Sequence, residues 1–325
     1  MIKELLNNVI KNKSQGYALY YQYNDTIIKE CNGVLKDENS SLINFDSKFR
    51  LASVSKQFIA FGIMTLVKQK LLSYDTTILE IFSELPIYFK KITVKHLLSH
   101  TSGIYDYEDM PHHNDDPQIQ DDDIITFLKK TTTTYFEPGS TYRYSNTAYI
   151  LLGLIIAKIT NKSIGNYLDE QIYQPLKMKD TLVNYEGITI MDNRAYGHLL
   201  VNDELVVKDQ YWCSATIGDG GIYSTVNDLL KWIDYLSNNE ESLKEDMLNP
   251  NILPNGTNSE YGLGIRIIDV NGKKLYYHCG DTIGTNTLLL FSNDLNIKVV
   301  FLTNLGNVDT SIIKNNIINK INRHN

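Results

Sequence analysis

The chain has 325 residues, of which 42% are hydrophobic and 21% are charged. This globular composition is sufficient for one large domain or two lobes around a shared core, and it excludes a disordered or fibrous protein. The net charge of -7 repels phosphate backbones and anionic lipid, so nucleic acid and membrane surfaces are not expected as partners. Three distant cysteines, Cys31, Cys213 and Cys279, do not predict a disulfide framework.

The N-terminal residues show neither the long apolar core nor the cleavage site of a secretory signal. No stretch approaches the roughly 20 apolar residues that are needed to span a bilayer. The sequence therefore predicts a cytoplasmic protein, and it leaves open the alternative of a leader that has been removed.

In chain order, a short amphipathic helix is predicted over residues 2–13. Tyr17–Tyr23 and Thr26–Leu35 are rich in aromatic and β-branched residues, and Asn24-Asp25 between them predicts a hairpin. Residues 54–70 are apolar on nearly every side, which is typical of a helix buried in the middle of a protein.

The middle of the chain, from about residue 74 to 207, predicts helices and loops. Thr93 is placed to cap one helix, and the carboxylates of Asp121-Asp122-Asp123 favour the start of another. Later, short apolar runs separated by turn residues predict strands. The later predicted helices cover residues 147–159, 227–237 and 310–322, and the strands cover 263–270, 274–279, 287–292 and 298–303.

Strands at both ends of the chain thus flank a helical middle. The predicted fold class is α/β (α+β): an antiparallel sheet flanked by helices and built from both termini, plus an all-helical lobe. We expect a single domain over residues 1–325, with an α/β lobe at about 1–72 and 210–325 and a mostly helical lobe at about 73–209.

Ser53 and Lys56 form an S-x-x-K motif where the buried helix begins. Side chains three residues apart share a helix face, so the lysine can take the proton of the serine hydroxyl and make it a nucleophile. The helix start also favours the negative charge that develops during attack. The motif alone is weak, because Ser311 and Lys314 match it too, in a helix with no other chemistry nearby.

Tyr144 and Asn146 lie on alternate residues of a predicted loop or turn, so both side chains can face one cavity. A tyrosine between two cations can share protons with a serine and a leaving group. Because tyrosine and asparagine are common in this chain, the pair indicates a catalytic site only in combination with the other motifs.

A third group of residues, His278-Cys279-Gly280, lies on a predicted strand. His278 could serve as a donor or a cation in the cleft, although a lone strand histidine is more often structural. Gly280 would let a substrate lie against the strand edge. The backbone N–H of Asp281 would then join that of Ser53 as an oxyanion hole.

Together and in order, these motifs resemble the serine β-lactamase and penicillin-binding-protein-like family. The most similar branch comprises class C β-lactamases, D-alanyl-D-alanine carboxypeptidases and related esterases. The resemblance extends over about residues 45–305. The segments that carry it are Phe49 to Lys56, His96 to Ile104, Pro138-Gly139, Tyr144-Ser145-Asn146, Leu151 to Gly153, Pro175 to Met178, Gly220 to Thr225 and Tyr261 to Gly264.

The resemblance implies an active site in the cleft between the two lobes. It implies that Ser53 is the nucleophile, Lys56 its activating partner, and Tyr144 a proton shuttle. It also implies that Asn146 orients substrate and lysine, and that His278 belongs to the third motif. Which of Lys56 and Tyr144 is the acylation base is left open, as it is disputed in related enzymes.

The third motif departs from the K-T-G of class C β-lactamases, since His278 stands where they have lysine. This departure favours a peptidase or an esterase over a β-lactamase. Asp281 would repel a substrate carboxylate unless its side chain points away along the strand.

Asp106–Asp116 is rich in potential metal ligands, but its spacing fits no specific site, so a solvated loop that could cover the cleft mouth is expected. Gly218–Gly221 lacks the lysine and the context of a phosphate loop, which excludes nucleotide binding. His100 and the three residues after it are interpreted as a structural turn. No metal and no cofactor are therefore predicted.

The predicted function is hydrolysis of small esters or amides, including D-amino-acid peptides, through an acyl-Ser53 intermediate. The alternatives are a β-lactamase proper and a penicillin-binding sensor that is acylated without turnover. The substrate is accordingly a small ester, a D-peptide or a β-lactam. The sequence does not give the acyl group, the leaving group or the oligomeric state.

Overall fold

The computed structural model describes residues 6, 9–10, 14–113, 116–237 and 243–323. The helix predicted over residues 2–13 lies largely outside the described residues. The strands are β1 (Tyr17–Tyr23), β2 (Thr26–Asn32), β3 (Phe49–Arg50), β4 (Leu182–Val183), β5 (His198–Val201), β6 (Glu204–Val207), β7 (Ile222–Ser224), β8 (Arg266–Val270), β9 (Lys273–Thr282), β10 (Thr285–Ser292) and β11 (Ile297–Thr303).

The helices are shorter and more numerous in the middle of the chain. They are α1 (Lys56–Lys68), α2 (Ile78–Ile81), α3 (Val94–Leu98), α4 (Asp121–Leu128), α5 (Asn146–Thr160), α6 (Ile164–Leu168), α7 (Val226–Ser237), α8 (Leu243–Met247) and α9 (Ser311–Arg323), with 3₁₀ turns at Ala52–Ser55, Ile87–Lys91 and Tyr107–Asp109 and a π turn at Asp169–Tyr173.

The main sheet has six antiparallel strands in the order β2-β1-β11-β10-β9-β8. Two of these strands come from the N-terminal part of the chain and four from the C-terminal part, which confirms the predicted sheet built from both ends. All eight residues of β10 are buried, as expected for a strand that is covered on both faces.

The two faces of the sheet belong to different hydrophobic cores. Leu289 and Phe291 pack in the core that also contains α1, while Leu288 and Leu290 pack against α9 on the other side. This division follows from the strand period of two, which sends successive side chains to opposite faces. The sheet is therefore the middle layer between the helical part of the chain and the C-terminal helix.

Helix α1 runs through the larger core. Every residue from Lys56 to Leu66 is buried, and Phe58 packs on Trp232 of α7 with ring centroids 4.8 Å apart. The apolar run that predicted a central helix is thus confirmed, although a 3₁₀ turn precedes the helix. The lysine that opens α1 is held inside the protein.

The middle segment also contains a hairpin that the sequence analysis did not predict, β5 with β6. Asn202 and Asp203 at its turn both have positive φ, as a two-residue type I′ turn requires. The proposed lobe boundaries near residues 72 and 210 stay a prediction. A small second sheet, β3-β7-β4, joins the strand before Ser53 to residues on either side of this hairpin.

Candidate active site

Ser53 lies just after β3, with its side chain partly exposed. The preceding residue, Ala52, has a φ of +47°, a left-handed conformation that is strained for a residue with a Cβ and tends to occur at functional sites. Arg50 anchors β3, because its buried guanidinium donates to the carbonyl oxygens of Gly220 at 3.2 Å and Ser214 at 2.9 Å. The backbone that leads to the hydroxyl is therefore firmly held.

Lys56 is fully buried one turn after Ser53. Its Nζ lies 3.1 Å from Ser53 Oγ, 2.7 Å from Asn146 Oδ1 and 2.8 Å from the carbonyl oxygen of Asp219. An ammonium has three protons to donate, so these three acceptors satisfy it completely and fix its position. The structure thus brings together Ser53, Lys56 and Asn146, three of the residues that the sequence singled out, and adds Asp219 as a fourth residue.

Tyr144 lies beside the same ammonium, with Lys56 Nζ 5.0 Å from its ring centroid. Its hydroxyl is buried and has no hydrogen-bond partner among the described residues. The neighbouring Asn146 opens α5, where the carboxylate of Asp106 accepts its backbone N–H at 2.6 Å. A phenol with an unused hydroxyl next to Lys56 is available for proton transfer with a bound substrate.

His100 supports this segment from inside the protein. It is fully buried, its Nδ1 accepts the backbone N–H of Ser145 at 3.1 Å, and its ring lies 4.3 Å from that of Tyr144. Burial, with a smaller contribution from the charge of Lys56, lowers the pKa of His100 well below its usual value. A neutral imidazole that packs on Tyr144 agrees with the interpretation of this segment as structural.

His278 lies on β9 but is only 2% exposed. Its Nδ1 is 2.7 Å from the carbonyl oxygen of Cys279, and its Nε2 is 3.1 Å from the hydroxyl of Tyr261. Burial lowers the pKa of His278 to about 3, so the ring is neutral, donates from Nδ1 and accepts at Nε2. The interpretation as a cation is therefore wrong, and the structural alternative fits.

We expect His278→Ala to lower kcat/KM by only about tenfold, the cost of leaving Tyr261 without its partner in the site wall. Ser53→Ala should remove turnover altogether. The two variants are compared by steady-state kinetics and by circular dichroism, which confirms folding. Equal losses in two folded variants would show that His278 takes part in the chemistry.

Gly280 packs closely on the backbone before Ser53. A Cβ at this position would lie 2.1 Å from the carbonyl oxygen of Leu51 and 2.3 Å from Thr287 Oγ1. The prediction that a substrate lies against the strand edge at Gly280 stays a prediction. The role of Gly280 is to let β9 approach the backbone that leads to Ser53, which brings the neighbouring Asp281 to the site.

A pocket opens at Ser53, and its wall is acidic. The carboxylates of Glu108, Asp219 and Asp281 line it together with aromatic residues such as Tyr107 and Tyr211. Asp281 is exposed, and its carboxylate interacts with the side chain of Asn286, its cross-strand neighbour. The described lining residues include three acidic residues and one cation, Arg50, and the Nζ of Lys56 lies 3.1 Å from Ser53 Oγ.

Two of these carboxyl groups influence each other. Burial, with the nearby charges of Asp219 and Asp106, raises the pKa of Glu108 to about 7. Asp219 accepts the hydroxyl of Tyr107 at 2.9 Å through Oδ2, while its Oδ1 is buried with no hydrogen-bond partner among the described residues. A pocket in which carboxyl groups lie close together, and in which one carboxylate oxygen has no hydrogen-bond partner among the described residues, favours the binding of a cationic group.

The segment Asp106–Asp116 does not form a metal centre in the part that the structure describes, which omits residues 114–115. Within the described ranges, no group of three or more His, Cys, Asp or Glu side chains is placed to hold a metal ion. Instead, Asp106 caps α5, and Tyr107 and Glu108 form part of the pocket wall.

For the described residues, no single helix is long and apolar enough to cross a membrane. Helix α5 and the segment Ile164–Tyr173 reach that length and composition only as a pair, with a bend of 80° between them.

The sequence matches the Beta-lactamase family over residues 6–317. The chain belongs to this family. It is 27% identical over 312 residues to Penicillin-binding protein 4* of Bacillus subtilis (strain 168), a match that covers 90% of this chain and 69% of the relative. It is also 27% identical over 257 residues to a D-aminopeptidase of Brucella anthropi, which covers 73% of this chain and 46% of that protein.

The fold is shared with a D-amino acid amidase from Ochrobactrum anthropi SV3 that was solved in complex with D-phenylalanine. The TM-score is 0.76 at 24% sequence identity, and the match covers 98% of this chain and 96% of the amidase. The chain spans less than half of the D-aminopeptidase that it matches. Membership of the beta-lactamase family makes this chain a serine hydrolase of the S-x-x-K acyl-enzyme type, as the motif predicted.

Sequence reasoning missed Glu108 and Asp219 as parts of the site of this beta-lactamase family member. Both lie near segments that carry the family resemblance: Glu108 follows the H-T-S-G segment, and Asp219 precedes Gly220-Gly221. What was missing was their proximity, because Asp219 reaches Lys56 through a backbone carbonyl that any residue type could supply.

Proposed function

We propose that this chain hydrolyses amides or short peptides whose acyl part is a D-amino acid with a free ammonium group. The single observation that carries the proposal is the pocket beside Ser53, whose described lining contains three acidic residues, Glu108, Asp219 and Asp281. Opposite charges attract strongly in a partly enclosed site, and like charges repel. An ammonium is favoured there, whereas the carboxylate of a β-lactam or of a peptide C-terminus is not.

The preference for the D configuration is proposed on a different ground. The sequence relative that covers 73% of this chain is named a D-aminopeptidase, and that name joins an amino-terminal substrate with D stereochemistry. The acidic pocket of this chain supports the first part of that description independently. The two lines of support together favour an aminopeptidase or amidase over a carboxypeptidase.

In the proposed reaction Lys56 is the neutral amine, which donates to Asn146 Oδ1 and to the carbonyl oxygen of Asp219 and accepts from Ser53. Ser53 Oγ attacks the substrate carbonyl, and its proton passes to Lys56 or to the phenolate form of Tyr144. The backbone N–H groups of Ser53 and Asp281 stabilise the negative charge on the carbonyl oxygen. The leaving amine takes up a proton as the C–N bond breaks, which leaves an ester on Ser53. Water then attacks this ester, the carboxylic acid leaves and Ser53 regains its proton.

Asn146 orients the Nζ of Lys56 through the contact at 2.7 Å and is placed to bind the substrate amide as well. Tyr144 has its ring centroid 5.0 Å from Lys56 Nζ, and its hydroxyl has no hydrogen-bond partner among the described residues. We therefore assign proton transfer to the Lys56–Tyr144 pair without dividing it between them, because proton transfers in a coupled pair belong to the pair.

The proposal is tested with matched chromogenic amides. D-alanine para-nitroanilide should be hydrolysed, and its N-acetyl derivative and its L enantiomer should be much poorer substrates. Ser53→Ala should abolish the activity. Equal hydrolysis of the N-acetylated compound would contradict the proposal, and rapid release of an opened fluorescent penicillin would point to a β-lactamase.

Glu108→Gln should raise KM for the free-amine anilide by about two- to fivefold, because a partly exposed ion pair usually strengthens binding by about that factor. Because the pKa of Glu108 is about 7, its charge is present above that pH and lost below it. KM for the cationic substrate should therefore rise as the pH falls through about 7 in the wild type, but not in the variant. The matched control is the N-acetylated anilide, whose KM should change in neither protein, and an unchanged KM for both substrates in Glu108→Gln would exclude an ionic contact.

A further inference from the structure

A short loop, Ile217–Gly221, contacts the side chain of Lys56. The carbonyl oxygen of Asp219 within it accepts the lysine ammonium at 2.8 Å. The loop approaches its neighbours closely at its glycines: a Cβ on Gly218 would lie 2.4 Å from the carbonyl oxygen of Tyr149. Such close backbone packing leaves the loop little freedom to shift without moving its carbonyl groups.

Asp121 holds the start of this loop from the helical part of the chain. It is the first residue of α4, and its Oδ1 accepts the backbone N–H of Ile217 at 2.8 Å. The carboxyl group is buried, and its Oδ2 has no hydrogen-bond partner among the described residues. Asp121 does not line the pocket at Ser53, so it has no route to the substrate except through the loop.

We propose that Asp121 is a positioning residue for Lys56. It fixes the backbone at Ile217, and the loop transmits that position to the carbonyl oxygen of Asp219, which together with Asn146 sets the place of the ammonium. The inference rests on the proposed role of Lys56 in activating Ser53. It extends the functional unit to a carboxyl group that contacts neither the nucleophile nor its lysine.

The protonation state of the Asp121 carboxyl group supports this positioning role. Burial is the main cause that raises the pKa of Asp121 to about 8, and the charges of Asp219 and Asp122 act in the same direction. At neutral pH Asp121 is therefore mostly a neutral acid that supplies an oxygen acceptor without a charge near the site. An asparagine has the same shape and the same acceptor, which provides a conservative replacement.

The test compares three variants by the rate at which a fluorophosphonate labels Ser53 and by turnover of D-alanine para-nitroanilide. Asp121→Leu removes the acceptor and keeps a side chain branched at Cγ. It should lower both the labelling rate and kcat by about 10- to 100-fold, with KM changed less than twofold, because small displacements of catalytic groups are costly. Asp121→Asn should restore both rates to within about threefold of wild type. Asp122→Ala, at the exposed neighbour, is the matched control and should change neither.

Several results would overturn the proposal. Wild-type labelling by folded Asp121→Leu would show that Lys56 does not need the contact, and so would a rise in KM with kcat unchanged. If Asp121→Leu does not fold, Asp121→Ser takes its place, and failure of both with a stable Asp121→Asn would assign the residue to folding alone. Fluorophosphonate labelling measures the reactivity of Ser53 independently of the natural substrate. If the wild-type enzyme is labelled but does not hydrolyse the anilide, the proposed function is wrong, and the labelling rates of the variants still test the role of Asp121.

Discussion

Replacing Lys56 with alanine is expected to lower the rate of Ser53 acylation by about 10²- to 10⁴-fold, the usual contribution of a positioned proton acceptor. The lysine is fully buried, and its Nζ lies 3.1 Å from Ser53 Oγ. Without it, the hydroxyl has no described partner to take its proton except through Tyr144. Fluorophosphonate labelling and anilide turnover measure the loss.

The chain contains a matched control for this experiment. Ser311 and Lys314 repeat the S-x-x-K spacing in α9, where the Lys314 ammonium lies over the ring of Tyr277 at 4.7 Å. Lys314→Ala should leave labelling unchanged, since the second motif lacks every other part of the site. Near-normal turnover by a folded Lys56→Ala would rule out its proposed role, and Lys56→Met, which fills more of the buried space, separates lost chemistry from lost folding.

Most strands of the main sheet were predictable because they contain runs of apolar, aromatic or β-branched residues between turn residues. Thr285–Ser292 and Ile297–Thr303 lie within two residues of the predicted limits. The hairpin of β5 and β6 was not predicted, although the short apolar runs Leu199–Val201 and Leu205–Val207 flank its turn. The pair Asn202-Asp203, typical of a tight hairpin turn, was the signal that could have found it.

The site was predictable where function requires a particular side chain. Ser53, Lys56, Tyr144 and Asn146 stand out because their chemistry needs a hydroxyl, an amine, a phenol and an amide at fixed spacing. The positive φ of Ala52 gives no such signal, since alanine is not a residue that favours the left-handed region. Contacts made by backbone groups are invisible in the same way.

The third motif shows why residue type alone was misleading. His278 could be a cation or a structural group, and only the surrounding burial decides that it is neutral. Asp281 could face either side of β9, and only the strand register, which pairs it with Asn286, sets the neighbour of its carboxylate. In both cases the deciding quantity is the distance from other parts of the chain, which the sequence does not state.

Among substitutions that add a single methyl group, Gly280→Ala is expected to disturb the active site most. The added Cβ would lie 2.1 Å from the carbonyl oxygen of Leu51 and 2.3 Å from Thr287 Oγ1, and that hydroxyl is itself buried and donates to the same carbonyl at 2.9 Å. Neither neighbour can move without displacing the backbone before Ser53. We expect labelling to fall by about 100-fold and stability by about 1–3 kcal/mol or more.

Gly272→Ala provides the control for this change, because it lies at the turn before β9 and its Cβ would meet nothing within 4 Å. Its φ of +78° makes the substitution cost about 1–2 kcal/mol of stability through backbone strain. Labelling of Ser53 should nevertheless stay at the wild-type rate in Gly272→Ala. Thermal denaturation and labelling, measured on both variants, therefore separate a general loss of stability from displacement of the nucleophile, and wild-type labelling by Gly280→Ala would show that β9 does not position Ser53.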